Sequence, residues 1–297
     1  MTPFAIAGIQ MPLSATTENL TAMGRRLDQL MARCPWVQMV MFSELAAFGP
    51  MPQFAQPLPG PAEATFQAMA ARHRIWLLPG SLYEKKGGKI HNTAPVIDPQ
   101  GAVVARYRKI FPFRPYEQAT TPGDEFTVFD VPQIGRFGVT ICYDMWFPET
   151  TRTLAAMGAE VILHPTLTDT IDRDVELAIS RASAAQNQCY FFDINGLAAG
   201  GVGRSIVVGP SGDVMHQAGV EEEVIALEID FDRVRRERDV GLRMLGQPLK
   251  SFRDRACDFS VYRREDFDNR YLESLGALTL PRRPALPGEP RRRPALS

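Results

Sequence analysis

The sequence has little of what builds metal centres or disulfide frameworks. Its four cysteines (34, 142, 189 and 257) and four histidines are scattered over 297 residues, without the short spacings of a zinc cluster. A chain this long with 45% hydrophobic residues buries a core without covalent staples, which argues against a disulfide scaffold. Charge of one sign is missing too: Lys plus Arg number 33 against 34 Asp plus Glu. No overall field therefore draws nucleic acid or an anionic membrane surface to the protein. No run approaches the roughly 20 apolar residues that span a bilayer. Met1 to Leu20 shows no basic flank before a sustained apolar stretch. The compartment expected is the cytoplasm.

The length permits one large domain or two small ones. Pro281–Ser297 holds five Pro and five Arg with one Glu, a composition that cannot form a packed core. It is expected to be an extended or disordered tail, or an oligomer arm, which leaves residues 1–280 as the folded body.

Apolar runs of strand length, punctuated by turn residues, occur at Phe4–Gln10, Val37–Ser43, Ile75–Tyr83, Ala94–Ile97, Phe137–Cys142, Ala159–Pro165, Cys189–Asn195 and Ser205–Gly209. Several are apolar on both faces, as in Val161-Ile-Leu163, so they are expected to lie between other layers. Between them, Leu20, Met23, Leu27, Leu30 and Met31 draw one helical stripe, and Val175, Ala178, Ile179, Ala182 and Ala185 another. A third helical pattern runs from Thr150 to Met157. The alternation predicts an α/β protein whose sheets are covered on one side by helices and on the other by a second sheet or more helices.

Cys142 ends the apolar strand Phe137-Gly-Val-Thr-Ile141 and precedes Tyr-Asp-Met-Trp-Phe-Pro-Glu149. A nucleophile at a sharp strand-to-helix turn projects from the end of a sheet, and the N–H groups beyond it can face a developing oxyanion. On position alone, a free Cys is more often a buried structural thiol. Lys109 shifts the balance. It sits where a cationic run, Arg106-Tyr-Arg-Lys, meets apolar residues and prolines unsuited to a helix or central strand. A lysine held there lowers a thiol's pKa and stabilises a tetrahedral intermediate, although most lysines are solvated surface residues. Glu44 closes an apolar strand, where a partly desolvated carboxylate can act as general base; a loop acid or helix cap is the competing reading. Glu117 closes Phe113-Arg-Pro-Tyr-Glu117 and would orient Lys109 or a leaving nitrogen, unless it is a plain surface acid. Asp144 and Glu149 read as turn and helix-start acids. His164, at a strand end, invites a Cys–His pairing but has no local Asn or Asp signature to orient it.

Taken together, Phe42-Ser-Glu44-Leu, Tyr107-Arg-Lys109-Ile and Ile141-Cys142-Tyr-Asp with Trp-Phe-Pro-Glu149 resemble the nitrilase superfamily of carbon–nitrogen hydrolases. The resemblance runs from Phe4 to about Arg253 and includes Ala7-Gly-Ile-Gln10, Gln186-Asn-Gln-Cys-Tyr190 and Gly203-Arg-Ser205. It implies an α-β-β-α sandwich, paired through a helix-bearing face into a homodimer or higher homo-oligomer. It implies Cys142 as nucleophile, Glu44 as general base, and Lys109 with the Tyr143 backbone N–H as oxyanion stabilisers. Glu117 resembles the family's second glutamate, and Trp146 and Thr166 would lie near the substrate pocket, although either fits core packing equally. No metal or organic cofactor is implied.

Tyr143-Asp144 is similar to the amidase and carbamoylase branches, whereas true nitrilases have Trp-Glu after the cysteine. The expected reaction is cleavage of a small linear amide or N-carbamoyl amine through a thioester, with release of ammonia. The alternatives are a nitrile hydrolase and a binding protein that keeps the fold with a disabled site.

Overall fold

Where apolar runs meet turn residues, the chain forms β1 (Pro3–Gln10), β2 (Met39–Phe42), β3 (Trp76–Leu78), β4 (Leu82–Lys86), β5 (Lys89–Ile97), β6 (Val103–Arg108), β7 (Thr127–Val131) and β8 (Gly135–Val139). The second half adds β9 (Val161–Thr166), β10 (Tyr190–Asn195), β11 (Leu197–Ala198), β12 (Gly201–Val202), β13 (Ile206–Val208), β14 (Val214–Gln217) and β15 (Glu223–Asp230). The principal helices are α1 (Leu20–Arg33), α2 (Pro61–His73), α3 (Pro148–Ala156), α4 (Asp172–Asn187), α5 (Phe231–Val240) and α6 (Pro248–Asp254). This computed structural model describes residues 1–263 and 267–280, so the tail expected at Pro281–Ser297 lies outside the described residues.

One sheet runs β15-β1-β2-β3-β5-β4, with β6 also paired to β5; the other runs β14-β13-β10-β9-β8-β7. The centre of each is parallel, β1-β2-β3 and β8-β9-β10. Such strands need cover on both faces, which explains their unbroken apolar character. Phe4, Ile6 and Met41 of the first sheet share a core with Phe137, Leu163 and Phe192 of the second. The sheets approach so closely at Gly8 that a Cβ there would sit 2.2 Å from Ile194 Cδ1. On the outer face of the first sheet, Ile9, Val40 and Phe42 pack with Leu27 of α1 and Phe66 of α2. On the outer face of the second, Ile162 and Phe191 pack with Leu154 of α3 and Leu177 of α4. The layers are therefore α-β-β-α, as the sequence predicts.

These elements belong to a unit comprising Met1–Pro112 and Ala119–Ala256. A second unit holds Phe113–Gln118 and the described residues from Cys257 to Leu280. Within it, Phe113 stacks on Tyr116 with ring centroids 4.8 Å apart, and Arg270–Ser274 forms a short helix, α7.

Two expectations need correction. The run Ile75–Tyr83 is two strands, because Gly80 adopts φ +78 between β3 and β4 and breaks the pairing there; both strands run antiparallel to β5, so the chain keeps its direction. The second concerns α4: Val175 is 46% exposed, Ala178 and Ala182 face solvent, and the buried side carries Arg173, Glu176, Ser180 and Ser183 besides Leu177 and Ala184. Arg173 donates to Asp193 at 2.8 Å and to Glu176 at 3.2 Å, and Ser180 donates to Asp193 at 3.1 Å. Hydrogen-bonded pairing lets these polar side chains turn inward beside Leu177 and Ala184. The helix forms where the stripe predicts it, but only part of the stripe faces in: Ile179 packs against the core, while Val175, Ala178 and Ala182 face outward.

Candidate active site

The ends of β2, β6 and β8 deliver an acid, an amine and a thiol. Glu44 lies two residues beyond β2, and its N–H donates to the Thr166 carbonyl at 3.2 Å, tying the end of β2 to the end of β9. Gly80 backs this segment: a Cβ there would meet the Ser43 carbonyl oxygen at 1.8 Å. Lys109 is the first residue after β6, anchored by its N–H to the Asn92 carbonyl at 2.9 Å. Glu44 and Lys109 are only 3% and 1% exposed, and Lys109 Nζ donates to Glu44 Oε1 at 2.9 Å. Asn92 Nδ2 donates to the same oxygen at 2.8 Å. Burial of both charges is tolerated because each answers the other, with an amide supporting the carboxylate.

Cys142 stands at the predicted elbow. Ile141 is extended, Cys142 itself adopts φ +47, and a 3-10 turn over Cys142–Trp146 leads into α3. A non-glycine residue in this left-handed region costs on the order of 1–3 kcal/mol and persists only where its surroundings enforce it. Asp144 provides that enforcement. Its Oδ2 accepts from the Ile141 N–H at 2.8 Å and the Tyr107 hydroxyl at 2.6 Å, and its Oδ1 accepts from the Phe111 N–H at 2.8 Å. One carboxyl group thus bolts the cysteine turn to the chain on both sides of Lys109. Asp144 is the acid of the first turn, as read from the sequence, but it is fully buried, and burial pushes its pKa up to about 6 against the pull of Tyr107, Ile141 and Phe111.

The Cys142 thiol is buried, and its pKa is well above the ordinary cysteine value. Burial is the main cause and the Glu44 charge the next; Lys109 acts in the opposite sense without prevailing. Lys109 acts on the sulfur in the sense expected from the sequence, but burial outweighs it. The resting group is a neutral thiol, which needs a base to become a nucleophile. Glu44 and Lys109 both act on the sulfur electrostatically, so the acid, ammonium and thiol form one cluster.

Thr166, at the end of β9, is buried beside the sulfur; its hydroxyl favours the thiolate without reaching hydrogen-bond geometry. Trp146 is half-buried against the α3–α4 core, and Tyr143 meets it at a ring separation of 6.2 Å. Glu117 lies in the second unit, where its Oε2 accepts from the Phe113 N–H at 2.5 Å. His164 is fully buried; its Nδ1 pairs with the Thr140 hydroxyl at 2.7 Å, and burial depresses its pKa to about 4. Asn92, Tyr107, Thr168 and Glu176 also shape the cluster and were not singled out from sequence. Asn92 and Tyr107 sit on β5 and β6, which frame Lys109; only β6 alternates in burial, with Tyr107 on its inward face, whereas β5 is buried on both faces around Asn92. Among the described residues, no group of three His, Cys, Asp or Glu side chains could hold a metal ion.

The chain matches the carbon–nitrogen hydrolase family over residues 5–239. It is 28% identical to human omega-amidase NIT2 over 87% of this chain and 97% of the relative. It is 34% identical to omega-amidase NIT2-B of Xenopus laevis over 61% of this chain and 70% of the relative. Among solved structures, a carbon–nitrogen hydrolase from Helicobacter pylori G27 superposes with a TM-score of 0.76 at 26% identity, covering 89% of this chain and 98% of the other. A cysteine-to-alanine mutant of the Nesterenkonia AN1 amidase, from the nitrilase superfamily, gives 0.69 at 26% identity, covering 80% of this chain and 94% of the other. With the family matched over most of its length and the same fold in its solved neighbours, this chain belongs to the carbon–nitrogen hydrolases of the nitrilase superfamily.

Proposed function

We propose that the protein is an amidohydrolase that cleaves the C–N bond of a small linear amide or N-carbamoyl amine, with Cys142 as nucleophile. The observation that carries this reading is the buried Lys109–Glu44 pair, both of whose charges act on the Cys142 thiol. Relatives named omega-amidase and amidase support an amide as the bond cleaved.

Glu44 takes the thiol proton as the sulfur attacks the carbonyl carbon. The tetrahedral oxyanion is held by the Lys109 ammonium and by the Tyr143 backbone N–H, the first beyond the nucleophile. Collapse breaks the C–N bond, and the proton held by Glu44 passes to the leaving nitrogen, which departs as ammonia or an amine. Water then attacks the thioester carbon and yields its proton to Glu44. The C–S bond breaks, the carboxylic acid leaves and the thiol recovers its proton. Glu117 joins this reading on its sequence pattern, as a second carboxylate that orients substrate; Trp146 and Thr166 join it as pocket residues.

The same reading includes a homodimer or larger homo-oligomer in the cytoplasm. Ile171 and Val175 are 90% and 46% exposed at the start of α4, an apolar face of the kind that subunit contacts cover. Among the described residues, no helix is long and apolar enough to cross a membrane. Ammonia release from a panel of small amides, N-carbamoyl amines and nitriles tests the assignment. Turnover of amides or carbamoyl amines ahead of the matching nitriles is expected, and a preference for nitriles overturns it.

A further inference from the structure

A second polar chain, separate from the predicted triad, reaches Cys142. Thr168 lies two residues beyond β9. Its backbone is clamped by Asn195, whose Oδ1 accepts from the Thr168 N–H at 3.0 Å and whose Nδ2 donates to the Thr168 carbonyl at 2.9 Å. The Thr168 hydroxyl donates to Glu176 Oε1 at 3.1 Å, and Arg173 Nη1 donates to Glu176 Oε2 at 3.2 Å. Arg173 is braced in turn by Asp193 Oδ2 at 2.8 Å and by the Arg204 carbonyl at 2.8 Å. Thr168, Glu176, Arg173 and Asp193 are 8%, 2%, 1% and 0% exposed. Thr168 Oγ1 stands 3.9 Å from Cys142 Sγ, within the range of a hydrogen bond involving sulfur.

A hydroxyl has one proton. A carboxylate held by arginine has none to give, so the Thr168 proton belongs to Glu176 and only an oxygen lone pair faces the sulfur. The contact between Cys142 and Thr168 can then run one way, with the S–H donating. We propose that Thr168, oriented by Glu176 and Arg173, is a positioning residue that fixes the rotamer and proton direction of the Cys142 thiol in the resting enzyme. It offers the thiolate no donor, which leaves activation to Glu44. The Glu176 charge also raises the thiol pKa, in the same sense as the neutral resting state. This inference rests on the nucleophile assignment for its catalytic meaning, but the hydrogen bond itself can be read without turnover.

The S–H stretching band of Cys142, isolated as the infrared difference between the protein and its Cys142→Ala variant, reports that bond directly. The unmodified protein should show a band at the lower frequency of a hydrogen-bonded thiol. Thr168→Val should move it to the higher, free-thiol frequency, and Thr168→Ser should keep it at the bonded position. Glu176→Gln should also move it, because an amide nitrogen facing Thr168 would turn the hydroxyl proton toward the sulfur. If Thr168→Val does not fold, Thr168→Ala carries the same expectation. A band at the free-thiol frequency in the unmodified protein, or one unmoved in a folded Thr168→Val or Thr168→Ala variant, overturns the proposal. Such a result would leave the nucleophile assignment standing, since that is read from ammonia release and not from this band.

Discussion

Lys109 Nζ donates to Glu44 Oε1 over 2.9 Å, and the two side chains are 1% and 4% exposed. In this setting neither charge is screened by water, and each helps to compensate the other, with Asn92 supporting the carboxylate. The proposed base is thus a fixed, desolvated carboxylate, and the proposed oxyanion donor is an ammonium already in place before substrate arrives.

Replacing Lys109 by Ala should reduce kcat about 100-fold or more through loss of an oxyanion donor. It should also cost about 3–5 kcal/mol of stability, because Glu44 is left as a buried acid without its cation. Steady-state ammonia release and urea unfolding measure the two effects. Near-normal turnover in the folded variant would remove Lys109 from the mechanism.

Asp144 joins the strained Cys142 turn to Tyr107 and Phe111. Asp144→Asn replaces one acceptor oxygen by a donor, so at least one of the three hydrogen bonds is lost, at about 1–3 kcal/mol for a buried group left unpaired. The loss of position should lower kcat more than it raises KM, since Asp144 is not proposed to bind substrate. A variant with unchanged kcat and a raised KM would contradict this role.

His164 makes the acid limb of stability testable. Burial lowers its pKa from 6.5 to about 4, so its neutral form favours the folded state above pH 6.5 and that advantage is lost as pH falls through about 4. The gap corresponds to a contribution on the order of 3 kcal/mol at about 1.4 kcal/mol per unit. Urea unfolding at pH 7 and pH 4.5 should show the unmodified protein losing more stability on acidification than His164→Gln. Equal losses would place the acid sensitivity elsewhere.

The parallel centres of both sheets were legible in the sequence because strands covered on two faces carry unbroken apolar runs, as at Val161-Ile-Leu163. Edge strands carry no such signal. In β15, exposed Val224 and Glu228 alternate with buried Ile225 and Ile229, and the segment is absent from the predicted strands. Part of the α4 stripe faces outward because ionic pairing lets Arg173 and Glu176 take places on the buried face that the sequence assigns to apolar residues. The proposed triad could be named from three short motifs, but the scaffolding around it could not. Asp144 looks like a turn acid until Tyr107 and Phe111 are seen to donate to it from a segment over thirty residues earlier. Thr168 and Glu176 belong to no local pattern; their roles depend on the end of β9 and the start of α4 meeting beside Cys142.

The nucleophile assignment is tested most directly by replacing each cysteine in turn and measuring ammonia release from the best amide substrate, with circular dichroism as the check on folding. Cys142→Ala should fold and show no turnover above background, whereas Cys34→Ala, Cys189→Ala and Cys257→Ala should each retain activity. Ammonia release by a folded Cys142→Ala variant at a rate comparable to the unmodified protein would contradict the mechanism at its first step.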